Sequence, residues 1–232
     1  MLHSDAPLAI PLWINGHAYL TMAEAFHDVV SPRTAAVLRR TPLCGAREAR
    51  QAADAARAAG AGWAARSAVE RSALLNALGD ALAGYGAHFA ALIAEESGND
   101  VEMANAEVAQ AVALLRAASA GKAANSAEVV SIVGNTDGVA SVGNAKLVAI
   151  AGNADGPLLA PLRLAVGALQ TGAVVIVTPS PQTPSALFAL AELSARCAFP
   201  NGVLSIVHGR EAVLDGLRAA GVCVLQAEPA AL

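Results

Sequence analysis

The sequence predicts an α/β fold: a doubly wound parallel sheet, preceded by a helical segment and carrying a protruding antiparallel hairpin. Three observations carry this. From residue 146 onward, short Val/Ile/Leu runs alternate with helical stretches. Before them lies an alanine-rich stretch whose Arg, Glu and Asp recur at helical period. Between the two sits a Val-, Ile-, Gly- and Asn-rich segment holding the turn dipeptide Asp137-Gly138. The length fits one large domain or a domain with a small appendage: 232 residues can bury about 70% of the surface their unfolded chain exposes.

In chain order, Trp13-Ile14 leads into Asn15-Gly16, a strong hairpin signal. Phe26–Val30 and Val37–Thr41 are two further short apolar runs, closed by Ser31-Pro32 and Pro42, so the opening reads as antiparallel. Ala46–Ala64 reads as a half-solvated helix. Val69–Leu82 places Leu74, Leu75, Leu78 and Leu82 on one stripe, Ala87–Ser97 ends at Gly98, and Val101–Ala118 aligns Val108, Val112 and Leu115. Val129–Val133 and Lys146–Ile150 read as strands around Asp137-Gly138. Then strands at Lys146–Ala151, Ala173–Val177, Leu204–Val207 and Val222–Leu225 alternate with helices at Leu158–Gln170, Pro184–Ala198 and Glu211–Ala220. Four such strands separated by helices predict a parallel, Rossmann-like sheet buried on both faces.

Composition excludes several functions. Hydrophobic residues make up 55% and charged residues 15%, so a disordered chain is excluded. With 15 Lys+Arg against 19 Asp+Glu, no basic excess exists to neutralise nucleic-acid phosphates. Gly, Pro, Asn or Asp interrupt every apolar stretch before it reaches the length of a membrane helix, and Met1–Pro11 lacks a signal-peptide pattern. Three cysteines, Cys44, Cys197 and Cys223, show no metal-ligand spacing, which points to a reducing cytoplasm and to buried, inert thiols.

Several segments are specific as a collinear set: Leu12-Trp13-Ile14-Asn15-Gly16, Val30-Ser31-Pro32-Arg33-Thr34, the alanine-rich helix with Trp63, Pro157-Leu158-Leu159, Thr178-Pro179-Ser180-Pro181-Gln182-Thr183-Pro184 and Phe199-Pro200-Asn201-Gly202-Val203-Leu204. Together they resemble the N-terminal half of the NAD(P)-dependent aldehyde dehydrogenase superfamily. The resemblance implies a discontinuous nucleotide-binding-type domain over residues 1–121 and 147–232, with an oligomerisation-type hairpin over 122–146. It also implies that the catalytic domain, with its nucleophilic Cys and general-base Glu, would begin where this sequence ends, at Glu228–Leu232. The covalent route through a thiohemiacetal then has no nucleophile here.

The cofactor half departs from the family pattern. The family's ribose-holding Lys and Glu, on either side of a Pro-Ser pair, correspond to Thr178 and Pro181 flanking Ser180. Proline offers neither carboxylate nor N–H. Counted back from Pro157, Asp155 takes the place of the oxyanion-hole Asn, where a carboxylate repels developing negative charge; a one-residue gap would put Asn153 there instead. The family's Phe-Thr-Gly-Ser stretch, which meets the pyrophosphate, is replaced by Leu225-Gln226-Ala227-Glu228-Pro229. Asp155, Thr178, Ser180 and Pro181 are thus degenerate cofactor-site positions. No cofactor is expected, the alternative being weak NAD or NADP binding.

The remaining candidates read as structural. Gly60-Ala61-Gly62 follows a helical stretch and lacks the third glycine of a dinucleotide fingerprint. Gly152–Gly156 lies between strand and helix, as a nucleotide loop or a plain turn. His17, His27, His88 and His208 are scattered without metal-ligand pairs, and Glu95-Glu96 reads as solvated helix surface. The 126–146 hairpin either folds back on its own domain or, as the family's hairpin does, pairs with another subunit. The expected function is a non-catalytic aldehyde dehydrogenase-like subunit with a structural or regulatory role, bound to a full-length aldehyde dehydrogenase or another oxidoreductase. The alternative is the cofactor half of a split enzyme whose Cys and Glu lie on another chain. A third reading is a degraded product with no selected role.

Overall fold

A computed structural model of the chain describes residues 7–118 and 146–228. The 126–146 hairpin, apart from Lys146, lies outside the described residues, as does Pro229.

Asn15 and Gly16 take φ of 53° and 75°, the paired positive values of a two-residue hairpin turn whose twist matches its strands. They join β1 (Leu12–Ile14) to β2 (His17–Tyr19). β3 (Phe26–Val30) and β4 (Val37–Pro42) pair antiparallel as a separate two-stranded sheet, with a register shift at Val29/Val30. Four helices follow: α1 (Ala46–Ala64), α2 (Ala68–Gly84), α3 (Gly86–Ser97) and α4 (Val101–Ala117). Ser67 and Glu70 form a reciprocal capping box on α2, Asp100 caps α4 through the Met103 amide, and Gly98 ends α3 in the left-handed region. Gly60-Ala61-Gly62 lies inside α1, which excludes it as a strand-to-helix phosphate turn.

The βαβ alternation folds as its sequence predicts: β5 (Leu147–Ala151), α5 (Leu159–Thr171), β6 (Val174–Thr178), α6 (Ser185–Arg196), β7 (Leu204–Ile206), α7 (Glu211–Ala219) and β8 (Cys223–Gln226). Strands β7, β6, β5 and β8 lie side by side and parallel. All five residues of β6 and all three of β7 are buried, so both faces of the sheet are covered.

One feature exceeds the sequence expectation. β1 adds antiparallel to the β7 edge, with Trp13 opposite Ile206, so the sheet has six strands in the order β2-β1-β7-β6-β5-β8. Leu12, Trp13 and Ile14 are all buried, unlike one face of a free hairpin, because helices α1 and α6 pack on β1 once it has joined the sheet.

One core runs from the helical layer into the sheet. Trp63 at its centre is fully buried, stacks on Phe199 at 5.8 Å and donates from Nε1 to the Leu169 carbonyl at 3.1 Å. On the other side α1 rests on α7 at a glycine contact. A Cβ on Gly216 would sit 2.8 Å from Ala46 Cα and 2.9 Å from Ala49 Cβ. Alanine is the better helix former by about 1 kcal/mol, but here overpacking dominates. Gly216→Ala is expected to destabilise by about 1–2 kcal/mol, read as a lower urea midpoint at unchanged slope; an unchanged midpoint would contradict the close contact.

Glu95-Glu96 is not a solvated pair. Glu95 stays largely exposed, but Glu96 is 4% exposed and faces the start of α6. A carboxylate can be buried there because helix amide and hydroxyl donors replace its water.

Candidate functional site at the carboxyl edge of the sheet

Chain order runs from β5 to β6 to β7 on one side and then returns to β8 on the other. In open α/β sheets ligands bind outside the carboxyl ends of strands at such a reversal. The sequence-predicted positions converge on that edge: Gly152–Gly156 follows β5, Thr178–Pro181 ends β6, and Ala227-Glu228 follows β8.

The reversal is zipped shut for one residue beyond the strands. Gly152 N donates to the Thr178 carbonyl at 2.8 Å, and Ala227 N to the Ala151 carbonyl at 2.8 Å. Asn153 turns across the gap and donates from Nδ2 to the Ala227 carbonyl at 2.5 Å, leaving Oδ1 buried without a partner. Asp155 is exposed, and no described residue bonds its carboxylate. Thr178 is 3% exposed with Oγ1 buried and unpartnered. Ser180 Oγ is turned inward and accepts from the Gln182 amide at 3.3 Å. The Pro181 carbonyl accepts from Thr41 Oγ1 at 2.9 Å, tying this loop to β4.

Two of the helices leaving this edge, α5 and α6, have N-termini already occupied by side chains. Glu107 of α4 is 1% exposed, and its Oε1 accepts from the Leu158 and Leu159 amides, each at 2.9 Å, at the start of α5. Glu96 of α3 does the same for α6, accepting from Ser185 N at 3.1 Å and Ser185 Oγ at 2.5 Å. Arg39 closes that cluster, its Nη1 3.2 Å from Glu96 and its Nη2 2.7 Å from Glu95. Burial raises the Glu96 carboxyl above its ordinary range, against the pull of the Ser185 donors and Arg39. Negative charge is favourable at a helix N-terminus, and here the protein's own carboxylates supply it where a phosphate otherwise would.

Sequence reasoning missed Glu107 and read Glu96 as solvated and His208 as one of several scattered histidines. His208 lies two residues beyond β7, is fully buried, and donates from Nε2 to the Pro11 carbonyl at 3.0 Å. Burial lowers its pKa to about 4, so the ring is neutral at pH 7. No group of three or more His, Cys, Asp or Glu able to hold a metal exists among the described residues.

The cysteines are only partly as expected. Cys44 is buried and its thiol is pushed up to about 12, chiefly by desolvation. Cys197 and Cys223 are half-buried, not fully, yet burial raises both above the usual thiol range. All three cysteines of the chain are therefore protonated at neutral pH, the unreactive form.

A cleft of about 490 Å³ opens beside this edge, between the Asp155-Gly156 turn, the Gln182-Thr183 turn and Val30 of β3.

The comparisons with known proteins fit this architecture. The model of the aldehyde dehydrogenase family matches residues 20–220. The chain belongs to the aldehyde dehydrogenase family. It is 30% identical over 191 residues to a malonate-semialdehyde dehydrogenase of Pseudomonas aeruginosa, covering 82% of this chain and 38% of that protein. It is 29% identical over 219 residues to a lactaldehyde dehydrogenase of Escherichia coli, covering 89% and 43%. Among solved structures, a lactaldehyde dehydrogenase superposes with a TM-score of 0.80 at 28% identity, over 95% of this chain and 47% of that one. An NADP-dependent enzyme of E. coli superposes with a TM-score of 0.78 at 26% identity, over 93% and 46%. The chain thus spans about two fifths of the length of these curated family members. Among the described residues, no single helix is long and apolar enough to cross a membrane.

Proposed function

We propose that this chain carries out no aldehyde oxidation by itself and serves as a structural or regulatory subunit beside a full-length aldehyde dehydrogenase or another oxidoreductase. One observation carries this reading: every thiol of the chain is held protonated by burial, and no described base activates any of them. The family's chemistry needs a thiolate to attack the carbonyl.

The described residues do not fit a dinucleotide held as the family holds it. At the two ribose-binding positions stand a buried threonine and a proline whose carbonyl is already engaged by Thr41. At the pyrophosphate position the chain reads Leu225-Gln226-Ala227-Glu228, with an acid and no glycine, and the N-termini of α5 and α6 offer no alternative because Glu107 and Glu96 fill them. Asp155 places a further exposed carboxylate at the same edge, where it disfavours a developing oxyanion.

A second reading, the cofactor half of a split enzyme, draws on Thr178 Oγ1 and Asn153 Oδ1. Both are buried at the switch point without partners, and an orphaned polar group is costly unless something satisfies it. Intact-complex mass measurement on material purified from the native cell tests the subunit reading. The subunit reading predicts a defined complex with a full-length oxidoreductase. A monomeric chain that oxidises aldehydes would overturn it.

A further inference from the structure

We infer that Asn15 is a site of self-modification: the Asn15-Gly16 hairpin tip converts through a cyclic imide to aspartate and isoaspartate while the rest of the chain stays folded. This goes beyond the subunit reading and does not rest on it.

The step needs only the chain and water. The Gly16 amide nitrogen attacks Cγ of Asn15, and the new C–N bond closes a five-membered imide. The side-chain nitrogen leaves as ammonia and carries off the Gly16 amide proton. Water then opens the imide at either carbonyl, which gives aspartate or isoaspartate with no change in oxidation state. Glycine favours the attack because no Cβ crowds its nitrogen.

The sequence holds two such pairs, Asn15-Gly16 and Asn201-Gly202, and both asparagines are exposed. Their covalent chemistry is the same; the fold separates them. Asn15 and Gly16 form a mirror-image turn with φ of 53° and 75°. In the second turn Gly202 has φ of 83° and Val203 N donates to the Pro200 carbonyl at 3.2 Å. Turns of both kinds hold the glycine nitrogen away from the asparagine side chain, so the attack waits for the turn to open.

Opening the first turn releases only β2, whose three residues are all exposed, and segments without buried contacts open at low free energy. Its ties are the short ladder to β1 and the bond from His17 Nδ1 to the Asn15 carbonyl at 2.7 Å. Opening the second turn pulls on the core. Gly202 is buried against α1, where a Cβ would lie 2.8 Å from the Ala55 carbonyl oxygen. Its neighbour Val203 is fully buried, and Phe199 stacks on Trp63. The Asn201 carboxamide is itself laid against Gly16, leaving no room for a Cβ there. Isoaspartate at position 15 adds a backbone carbon to a two-residue turn whose twist matches its strands. β2 then detaches and leaves β1 with an unpaired edge, a template for strand pairing.

The test is peptide mapping by mass spectrometry of the full chain held folded at neutral pH, with the chain unfolded in urea as reference. In urea both asparagines should convert at similar rates. In the folded chain Asn15 is expected to convert about tenfold faster than Asn201, or more. His17→Ala, which removes one tie of the turn, should speed conversion at Asn15 several-fold and leave Asn201 as it was, with circular dichroism melts verifying that it folds. The wild-type comparison of the two sites stands whether or not that variant folds. The inference is overturned if Asn201 converts as fast as Asn15 in the folded chain, if neither converts in the time that completes the reaction in urea, or if folded His17→Ala does not speed it.

Discussion

Glu107→Ala is expected to destabilise the chain by about 3 kcal/mol. The carboxylate is 1% exposed and accepts from two amides at the start of α5, Leu158 N and Leu159 N, each at 2.9 Å. Truncation leaves both donors buried without acceptors, at about 1–3 kcal/mol each, less what an entering water recovers. It also removes negative charge from the positive end of a 13-residue helix. Glu107→Gln keeps an acceptor of the same shape and should restore more than half of the loss. Urea unfolding of the three proteins checks this. If alanine and glutamine cost the same, the stabilisation comes from charge alone and not from the two hydrogen bonds.

Acidification from pH 6.5 to 4 should cost about 3 kcal/mol at His208 alone. The folded ring titrates at about 4, against 6.5 for the unfolded chain, because it is fully buried and Nδ1 has no partner. The folded pKa is depressed, so the unfolded state binds the proton first. The stability is fully present above pH 6.5, is lost as pH falls through the window, and levels off below 4. A shift of about 2.5 units at 1.36 kcal/mol each gives the magnitude. Glu96, whose carboxyl is raised by burial, works in the opposite sense, losing stability as pH rises through its folded pKa. The readout is therefore the difference between wild type and His208→Gln across pH 4 to 7. A difference that stays flat would show that the buried imidazole does not titrate as described. The hydrogen bond from Nε2 to the Pro11 carbonyl favours the charged ring and offsets only part of the cost of burying it, which falls on the unpartnered Nδ1.

Much of the architecture is legible in the sequence because it rests on local patterns. The Val/Ile runs of β5 and β6 announce buried parallel strands, and Asn15-Gly16 announces its own turn through residues that tolerate positive φ. What is not legible depends on partners distant in sequence. Nothing near Trp13 says that it will face Ile206 across a sheet edge. Glu96 and Glu107 look like any solvated helix glutamate until α5 and α6 bring their free amides beside them, 89 and 51 residues further on. Charge periodicity reports which side of a helix is polar, and it cannot report that one acid on that helix will meet a second helix end-on.

The candidate site divides the same way. The apolar run Ala173–Val177 predicts a strand that ends at Thr178, and the structure has Thr178 closing β6 with Ser180 and Pro181 just beyond it and Asp155 exposed on the loop that follows β5. The turning of Asn153 toward Ala227 was not legible, since it depends on β8 pairing with β5 across 74 residues. That bond commits the Asn153 amide to the sheet edge, while Asp155 lines the cleft.

Direct titration of the purified full chain with NAD and with NADP addresses the whole account at once. With Thr178 buried, Pro181 engaged by Thr41 and both helix N-termini filled by glutamate, calorimetry should show no saturable heat for either dinucleotide up to about 1 mM, a free energy of roughly 4 kcal/mol. A dissociation constant in the micromolar range, lost on Thr178→Ala, would contradict it and make the chain a working cofactor module.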